Sequence, residues 1–160
     1  MSVAPDPETI YERSKEEGRR RLSMPFLEQV ATGFIAGITI VFGIVALGIT
    51  ESLVGTEFSH GVAALAGALA FGTGVVFLVV GRSELFTENF FDEGGASAWT
   101  RLAQLWMATL VLNLVGGTVL LGLLTVDGAL PPGAVESLVR VAEDIAAKTW
   151  EATIVRAVLA

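Results

Sequence analysis

Long uncharged blocks alternate with charged segments along the chain. Stretches without an ionisable side chain cover residues 29–50, 61–80 and 102–126. Because an α-helix rises about 1.5 Å per residue, each block is long enough to cross a hydrocarbon core of roughly 30 Å. We therefore predict three transmembrane helices at about 29–50, 61–81 and 100–126.

The composition agrees with a multi-pass membrane protein. Hydrophobic residues make up 52% of the 160 residues, and the mean hydropathy is +0.66. A soluble domain with buried helices is the weaker alternative, because core helices are usually shorter and rarely apolar on every face. Without cysteine the sequence has no disulfide framework, no thiolate metal site and no cysteine nucleophile. The predicted fold class is all-α.

The charged segment at residues 1–25 is predicted to form an interfacial helix that breaks near Pro25. It lacks the apolar core and cleavage site of a signal peptide, so it should remain on the mature protein. Five of the ten Lys and Arg residues fall within the first 21 positions. Since basic residues beside a first span tend to stay inside, we predict a plasma-membrane protein with a cytoplasmic N-terminus. The connection 51–60, with two acids and no Lys or Arg, is then outside.

The segment 128–150 is predicted to connect the third span to a further apolar run along the outer surface. The sequence Pro131-Pro132-Gly133 indicates a turn, and apolar residues at helical spacing then predict an amphipathic helix. Residues 151–160 are too short to cross a bilayer and are interpreted as the truncated start of a fourth span. The apolar positions of the helix are Val135, Leu138, Val139, Ala142 and Ile145.

The polar nonapeptide 81–89, Gly-Arg-Ser-Glu-Leu-Phe-Thr-Glu-Asn, follows the second apolar block directly. A charged residue at the centre of a spanning helix costs on the order of 3 kcal/mol of insertion free energy, so such residues usually face a protein interior or an aqueous path. The nonapeptide is therefore a candidate site. Arg82, Glu84 and Glu88, together with Asn89, are predicted to stabilise the loop through ion pairs, with direct anion contact by Arg82 as the alternative.

This nonapeptide resembles the signature of the formate/nitrite transporter family. Further features that agree in order with the family are Glu16-Glu17-Gly18 with residues 19–22, Phe71, Leu105-Trp106, and the stretch 113–117. The resemblance implies an aquaporin-like three-helix repeat with a broken second helix, whose loop covers 82–90. By this resemblance the chain is the first half of a six-span protomer, and a homopentamer forms if a second repeat is supplied.

The resemblance also implies roles for individual residues. Phe71 and Leu85 would line apolar constrictions, Phe86 would lie in the loop at mid-membrane, and Thr87 would be the polar gate. Thr87 has a second interpretation as a helix-capping hydroxyl. For Lys148 there are two interpretations: it corresponds to the basic residue that family members carry between the third and fourth spans, or it simply faces water. The family histidine lies in the second repeat, and His60 is assigned no role.

The function implied is transmembrane transport of small monovalent anions such as formate or nitrite. A half-helix starting near Glu88 would aim unpaired amides at the midplane and favour a small anion there. Which anion is preferred, and whether a proton is coupled, stay open. The alternative is a truncated, non-transporting remnant or packing subunit, in which Gly33, Gly37, Gly67 and Gly74 matter.

An enzyme has little support in the sequence. There is no nucleophile–base pair, no metal-ligand spacing and no glycine-rich phosphate loop at a strand–helix junction. We expect no catalytic residue, no cofactor, no metal and no nucleic-acid partner. The expected partners are the small anion and the lipid bilayer.

Overall fold

The computed structural model describes residues 5–84 and 96–159, and these residues form six α-helices. No strand occurs among them, which confirms the predicted all-α class. The helices are α1 (Pro7–Leu22), α2 (Phe26–Val54), α3 (His60–Val80), α4 (Ala96–Leu124), α5 (Ala134–Ala146) and α6 (Trp150–Leu159).

Three of these helices are long and apolar enough to cross a membrane, as the uncharged blocks predict. They are α2, α3 and the part of α4 from Trp99 to Leu124. The helix α2 continues beyond the predicted limit at residue 50, so Glu51, which the charge pattern assigned to the connection, lies on the helix. The carboxylate is tolerated there because Ser137 and Arg140 of α5 both donate hydrogen bonds to it.

The local sequence accounts for both ends of α1. Asp6 caps the N-terminus by accepting a hydrogen bond from the backbone N–H of Thr9 at 2.8 Å, and Pro7 occupies a position where its missing N–H costs nothing. Arg19, Arg20 and Arg21 occupy the last turn, where positive charge complements the helix dipole. The helix ends before Pro25, as predicted.

The chain forms two compact units, and α2 and α3 each contribute residues to both. The first unit contains Met1–Val41 and Val75–Leu123. In it, the glycines at 37 and 116 let α2 and α4 approach closely. A Cβ at Gly37 would collide with the carbonyl group of Asn113, and one at Gly116 with the carbonyl group of Phe34. The spacing Gly33-x-x-x-Gly37 therefore works as expected for close helix packing.

The second unit contains Phe42–Gly74 and Leu124–Ala160. A Cβ at Gly43 would lie 2.8 Å from the carbonyl oxygen of Phe71, so α2 and α3 also pack backbone to backbone. The helix α5 packs against α2, because a Cβ at Gly48 would lie 2.5 Å from Cγ of Leu138. The turn before α5 uses Gly133 at φ 82°, a conformation that glycine adopts without strain.

Candidate functional site

The helix α3 ends in a backbone motif centred on Arg82. The N–H of Ser83 donates to the carbonyl of Leu78 at 3.1 Å, and the N–H of Arg82 donates to the carbonyl of Val79 at 3.2 Å. This pair of bonds is the Schellman arrangement, in which the residue that leaves the helix is left-handed and usually glycine. Here it is Arg82, with φ 48°, at a cost of about 1–2 kcal/mol. This strained residue lies two positions before Glu84.

Glu84 is almost completely buried, with 2% of its surface exposed. Nη2 of Arg20 donates to Oε1 of Glu84 at 2.8 Å, and Nε of Arg21 lies 3.2 Å from Oε2. Oε2 accepts no hydrogen bond from the described residues. Both cations come from the last turn of α1, so α1 supplies the charge that makes a buried carboxylate at this position tolerable.

Glu17 on α1 connects the same two arginines. Arg20 contacts it through Nη2 at 2.7 Å and Nε at 3.0 Å, and Nε of Arg21 lies 3.2 Å away. The hydrogen bond from Arg20 is the main reason that the pKa of Glu17 falls to about 2 from 4.5, and Arg21 adds to it. The same contact raises the pKa of Arg20. These four side chains form one ionic cluster, which Glu28 joins by accepting a hydrogen bond from Nη1 of Arg20 at 3.4 Å.

Asn113 fixes the backbone of Glu84 from the other side. Its Nδ2 donates to the carbonyl oxygen of Gly33 at 2.8 Å and to that of Glu84 at 3.1 Å. At about 1.5 Å per residue, Gly33 lies about 10 Å from the start of α2, and Asn113 about 20 Å from Trp99 along α4. The Asn113 side chain thus links the carbonyl of Glu84 to that of Gly33, and both Asn113 and Gly33 lie within candidate spans. Asn113 carries no predicted role, although a carboxamide within an apolar block is a signal for one.

A cavity of about 490 Å³ adjoins Glu84. Arg82 lines it, and the cations that contact Glu84 among the described residues are Arg20 and Arg21 of α1. Cations and carboxylates are both present in the lining, and the cations outnumber the carboxylates. The lining consists of Glu17, Arg20, Arg21, Leu78, Val79, Arg82, Ser83 and Glu84.

Comparison with known protein families shows to which family the chain belongs. The family model described as formate/nitrite transporter matches residues 8–160, which is nearly the whole sequence. The chain belongs to the formate/nitrite transporter family. Comparisons with curated proteins and with solved structures gave no match. Together with its three apolar helices, the match makes this protein a multi-pass member of a transport family.

The structure locates four of the residues to which the sequence assigned roles in this formate/nitrite transporter family member, including Arg82 at the end of α3. Phe71 is partly buried on α3, with its carbonyl oxygen and ring against Gly43. Lys148 follows α5, is partly buried, and donates its backbone N–H to Ile145 at 3.3 Å. Glu84 forms the cluster described above. The pore role of Phe71, the basic role of Lys148 and the loop-stabilising roles of Arg82 and Glu84 stay predictions.

The remaining predicted site residues lie outside the described part of the chain. They are Leu85, Phe86, Thr87, Glu88 and Asn89. Within residues 5–84 and 96–159, no three His, Cys, Asp or Glu side chains are grouped so as to hold a metal ion. The described chemistry is therefore ionic and hydrogen-bonding chemistry around one buried carboxylate.

Proposed function

We propose that this protein takes part in the transport of small monovalent anions of the formate or nitrite type across the cell membrane, with its N-terminus in the cytoplasm. The observation that carries the proposal is the family match over residues 8–160. The charge pattern of the N-terminal segment supports the orientation, since five of the ten basic residues precede the first span.

The surroundings of Glu84 support a break in the second span. The chain leaves α3 at Arg82, and the carbonyl of Glu84 accepts a hydrogen bond from Asn113, which lies within a candidate span rather than beyond its end and also donates to Gly33. Irregular backbone within a membrane is tolerated where protein or water satisfies it, and Asn113 supplies that partner for the carbonyl of Glu84. We propose that residues 85–89 continue this irregular segment, with Phe71, Leu85, Phe86 and Thr87 lining the anion path.

The charge balance supports a structural role for Glu84. An uncompensated carboxylate beside an anion path would repel the permeating ion. Arg20 and Arg21 contact both carboxylate oxygens of Glu84, so its charge is balanced by α1. We propose that Glu84 and Arg82, with Glu88 and Asn89, hold the loop and that the anion is attracted by the amides of a half-helix starting near Glu88.

Two further features belong to this proposal through the family. The family resemblance implies a homopentamer with one pore in each protomer, and we propose that this chain assembles in that way when a second repeat is supplied. We also propose that Lys148 attracts anions towards the path. Lys148 is partly buried just beyond the end of α5, and its side chain would supply the positive charge that this role requires.

Flux through proteoliposomes tests the proposal. The assembly is purified from membranes through a tag on this chain, and formate and nitrite uptake is compared with empty vesicles. We expect uptake above that control, and Thr87→Ala should lower it about tenfold or more, because a hydrogen bond to a charged group contributes about 1.5–3 kcal/mol.

Thr118→Ala is the matched control for this experiment. Thr118 is exposed on α4, and its hydroxyl donates only to the carbonyl of Leu114 on its own helix, at 2.7 Å. We expect this variant to transport like the unmodified chain. Uptake equal to that of empty vesicles would contradict the proposed function, and equal losses in both variants would contradict the gate role of Thr87.

A further inference from the structure

A second cavity in the first unit is lined by polar and apolar side chains that have no role in the proposed anion path. It measures about 380 Å³ and combines two guanidinium groups with two carboxamides and an apolar wall. No carboxylate lines it among the described residues. The lining consists of Arg21, Leu22, Met24, Phe26, Gln29, Arg101, Gln104, Leu105 and Ala108.

The cavity lies where two candidate spans begin. Phe26 is the first residue of α2, and Arg101 is the third residue of the span that starts at Trp99. Phe26 is 79% exposed, its neighbour Leu27 is 78% exposed and Trp99 is 65% exposed. Large apolar and aromatic side chains at the start of a span face the boundary between acyl chains and headgroups. The polar end of the cavity is therefore at headgroup level.

We propose that this cavity binds an anionic phospholipid of the leaflet next to α1. Basic pockets between membrane helices on one leaflet are suited to anionic headgroups. The phosphate would lie between Arg21 and Arg101. The guanidinium of Arg101 can donate two parallel hydrogen bonds to it, Arg21, which also pairs with Glu17 and Glu84, adds positive charge, and Gln29 and Gln104 would donate to the remaining oxygens. An acyl chain would then follow the apolar surface of Leu105 and Ala108 along α4.

A lipid explains more of these residues than a small soluble anion does. A free anion needs the two arginines and the two carboxamides, but it gains nothing from an apolar wall. Arg101 also lies within the first turn of a span, where a charged side chain is costly unless a counter-charge lies at the same depth. A lipid phosphate supplies that counter-charge, because headgroup phosphates occupy this level of the bilayer.

Quenching of tryptophan fluorescence by brominated lipids tests the proposal on the purified full chain in an uncharged detergent. Trp99 and Trp106 lie on α4, within five residues of Arg101. We expect brominated phosphatidylglycerol to quench at about fivefold lower concentration than brominated phosphatidylcholine, as about 1 kcal/mol for Arg101 predicts, because Glu17 and Glu84 already offset the charge of Arg21. Arg101→Gln should remove this preference, and Arg101→Lys should retain most of it.

Arg13→Gln is the matched control, since Arg13 is exposed on α1 and the charge change is the same. We expect it to keep the preference. Equal binding of the two lipids, an unchanged preference in Arg101→Gln, or an equal loss in Arg13→Gln would overturn the proposal. Displacement of the lipid by an equal concentration of soluble glycerol phosphate would also overturn it, because the site would then recognise free phosphate. If Arg101→Gln loses its helical circular dichroism, Gln104→Ala replaces it, with a partial loss of preference expected.

Discussion

The molecule has two buried glutamates, one in each unit. Glu84 is paired with arginines of α1 and Glu51 with an arginine of α5, but the two carboxylates are held in different ways. Glu51 lies on α2 with 7% of its surface exposed, and one oxygen accepts hydrogen bonds from Ser137 at 3.0 Å and Arg140 at 3.1 Å. Glu84 follows the end of α3, contacts two arginines, and has one carboxylate oxygen without a hydrogen bond from the described residues.

The difference separates a packing contact from a candidate site. Glu51 lies in regular helix, and its neutral and charged partners both lie on α5, so it anchors one helix to another. Glu84 adds a left-handed arginine two residues earlier and a carbonyl held by Asn113. Strained backbone and concentrated charge are costly in a membrane protein and are concentrated at functional sites. The described part of the nonapeptide therefore has a strained residue and polar contacts that helix packing alone does not require.

The largest difference between the two clusters should appear when the arginines are removed. Arg20→Gln with Arg21→Gln leaves Glu84 buried without a counter-charge, and breaking a buried pair in this way costs about 3–5 kcal/mol. Arg140→Gln leaves Glu51 bonded to Ser137, and Arg140 is itself half exposed, so about 1 kcal/mol is expected. Unfolding of the purified variants in mixed detergent with increasing dodecyl sulfate measures both.

A third substitution determines whether the loss comes from the buried charge. Glu84→Gln, added to the double arginine variant, removes the charge that was left unpaired, so most of the lost stability should return. Full destabilisation in the triple variant would mean that the arginines act through other contacts. A loss in Arg140→Gln as large as in the double variant would remove the distinction between the clusters.

The next effect concerns how closely the helices approach. Gly37→Ala places a methyl group against the carbonyl of Asn113, which is backbone and must shift, so we expect a loss of about 1–3 kcal/mol. Gly48→Ala meets the side chain of Leu138 instead, which can rotate, so the loss should be smaller. Gly72→Ala is the control, because nothing lies within 4 Å of its added Cβ. The same unfolding assay ranks the stability of the three variants. Equal losses of stability in Gly37→Ala and Gly72→Ala would contradict the close approach of α2 and α4.

The sequence predicted much of the fold because long uncharged runs are sufficient to identify spanning helices. It also identified the nonapeptide from the position of its charges. The partners of Glu84 were not predictable, because Arg20 is 64 residues away and local spacing does not report such pairing. Glu51 was assigned to a connection for the same reason, since the residues that satisfy it on α5 are 86 and 89 residues away in sequence.

A smaller effect should separate the backbone at Arg82 from its side chain. Arg82→Ala and Arg82→Gly both remove the guanidinium group, but only glycine adopts φ 48° without strain. We expect the glycine variant to be more stable than the alanine variant by about 1 kcal/mol. Gly133, at φ 82° in the second unit, allows the opposite substitution: Gly133→Ala should lower the free energy of unfolding by a similar amount. Equal stability of the two Arg82 variants would contradict the left-handed helix end.

The smallest effect is the pH dependence of the α1 contacts. The pKa of Glu17 is lowered to about 2 from 4.5, mainly by the hydrogen bond from Arg20. A lowered pKa means that the stabilisation is fully present above pH 4.5 and is lost as the pH falls towards 2. Because Glu17 is nearly half exposed, the loss should be less than about 1 kcal/mol. Unfolding of Glu17→Gln between pH 5 and 2.5 should show a weaker acid dependence than the unmodified chain, and Glu16→Gln, at an exposed neighbour, should not. An unchanged acid dependence in Glu17→Gln would mean that α1 is held without this carboxylate, and the cluster around Glu84 would then depend on its two arginines alone.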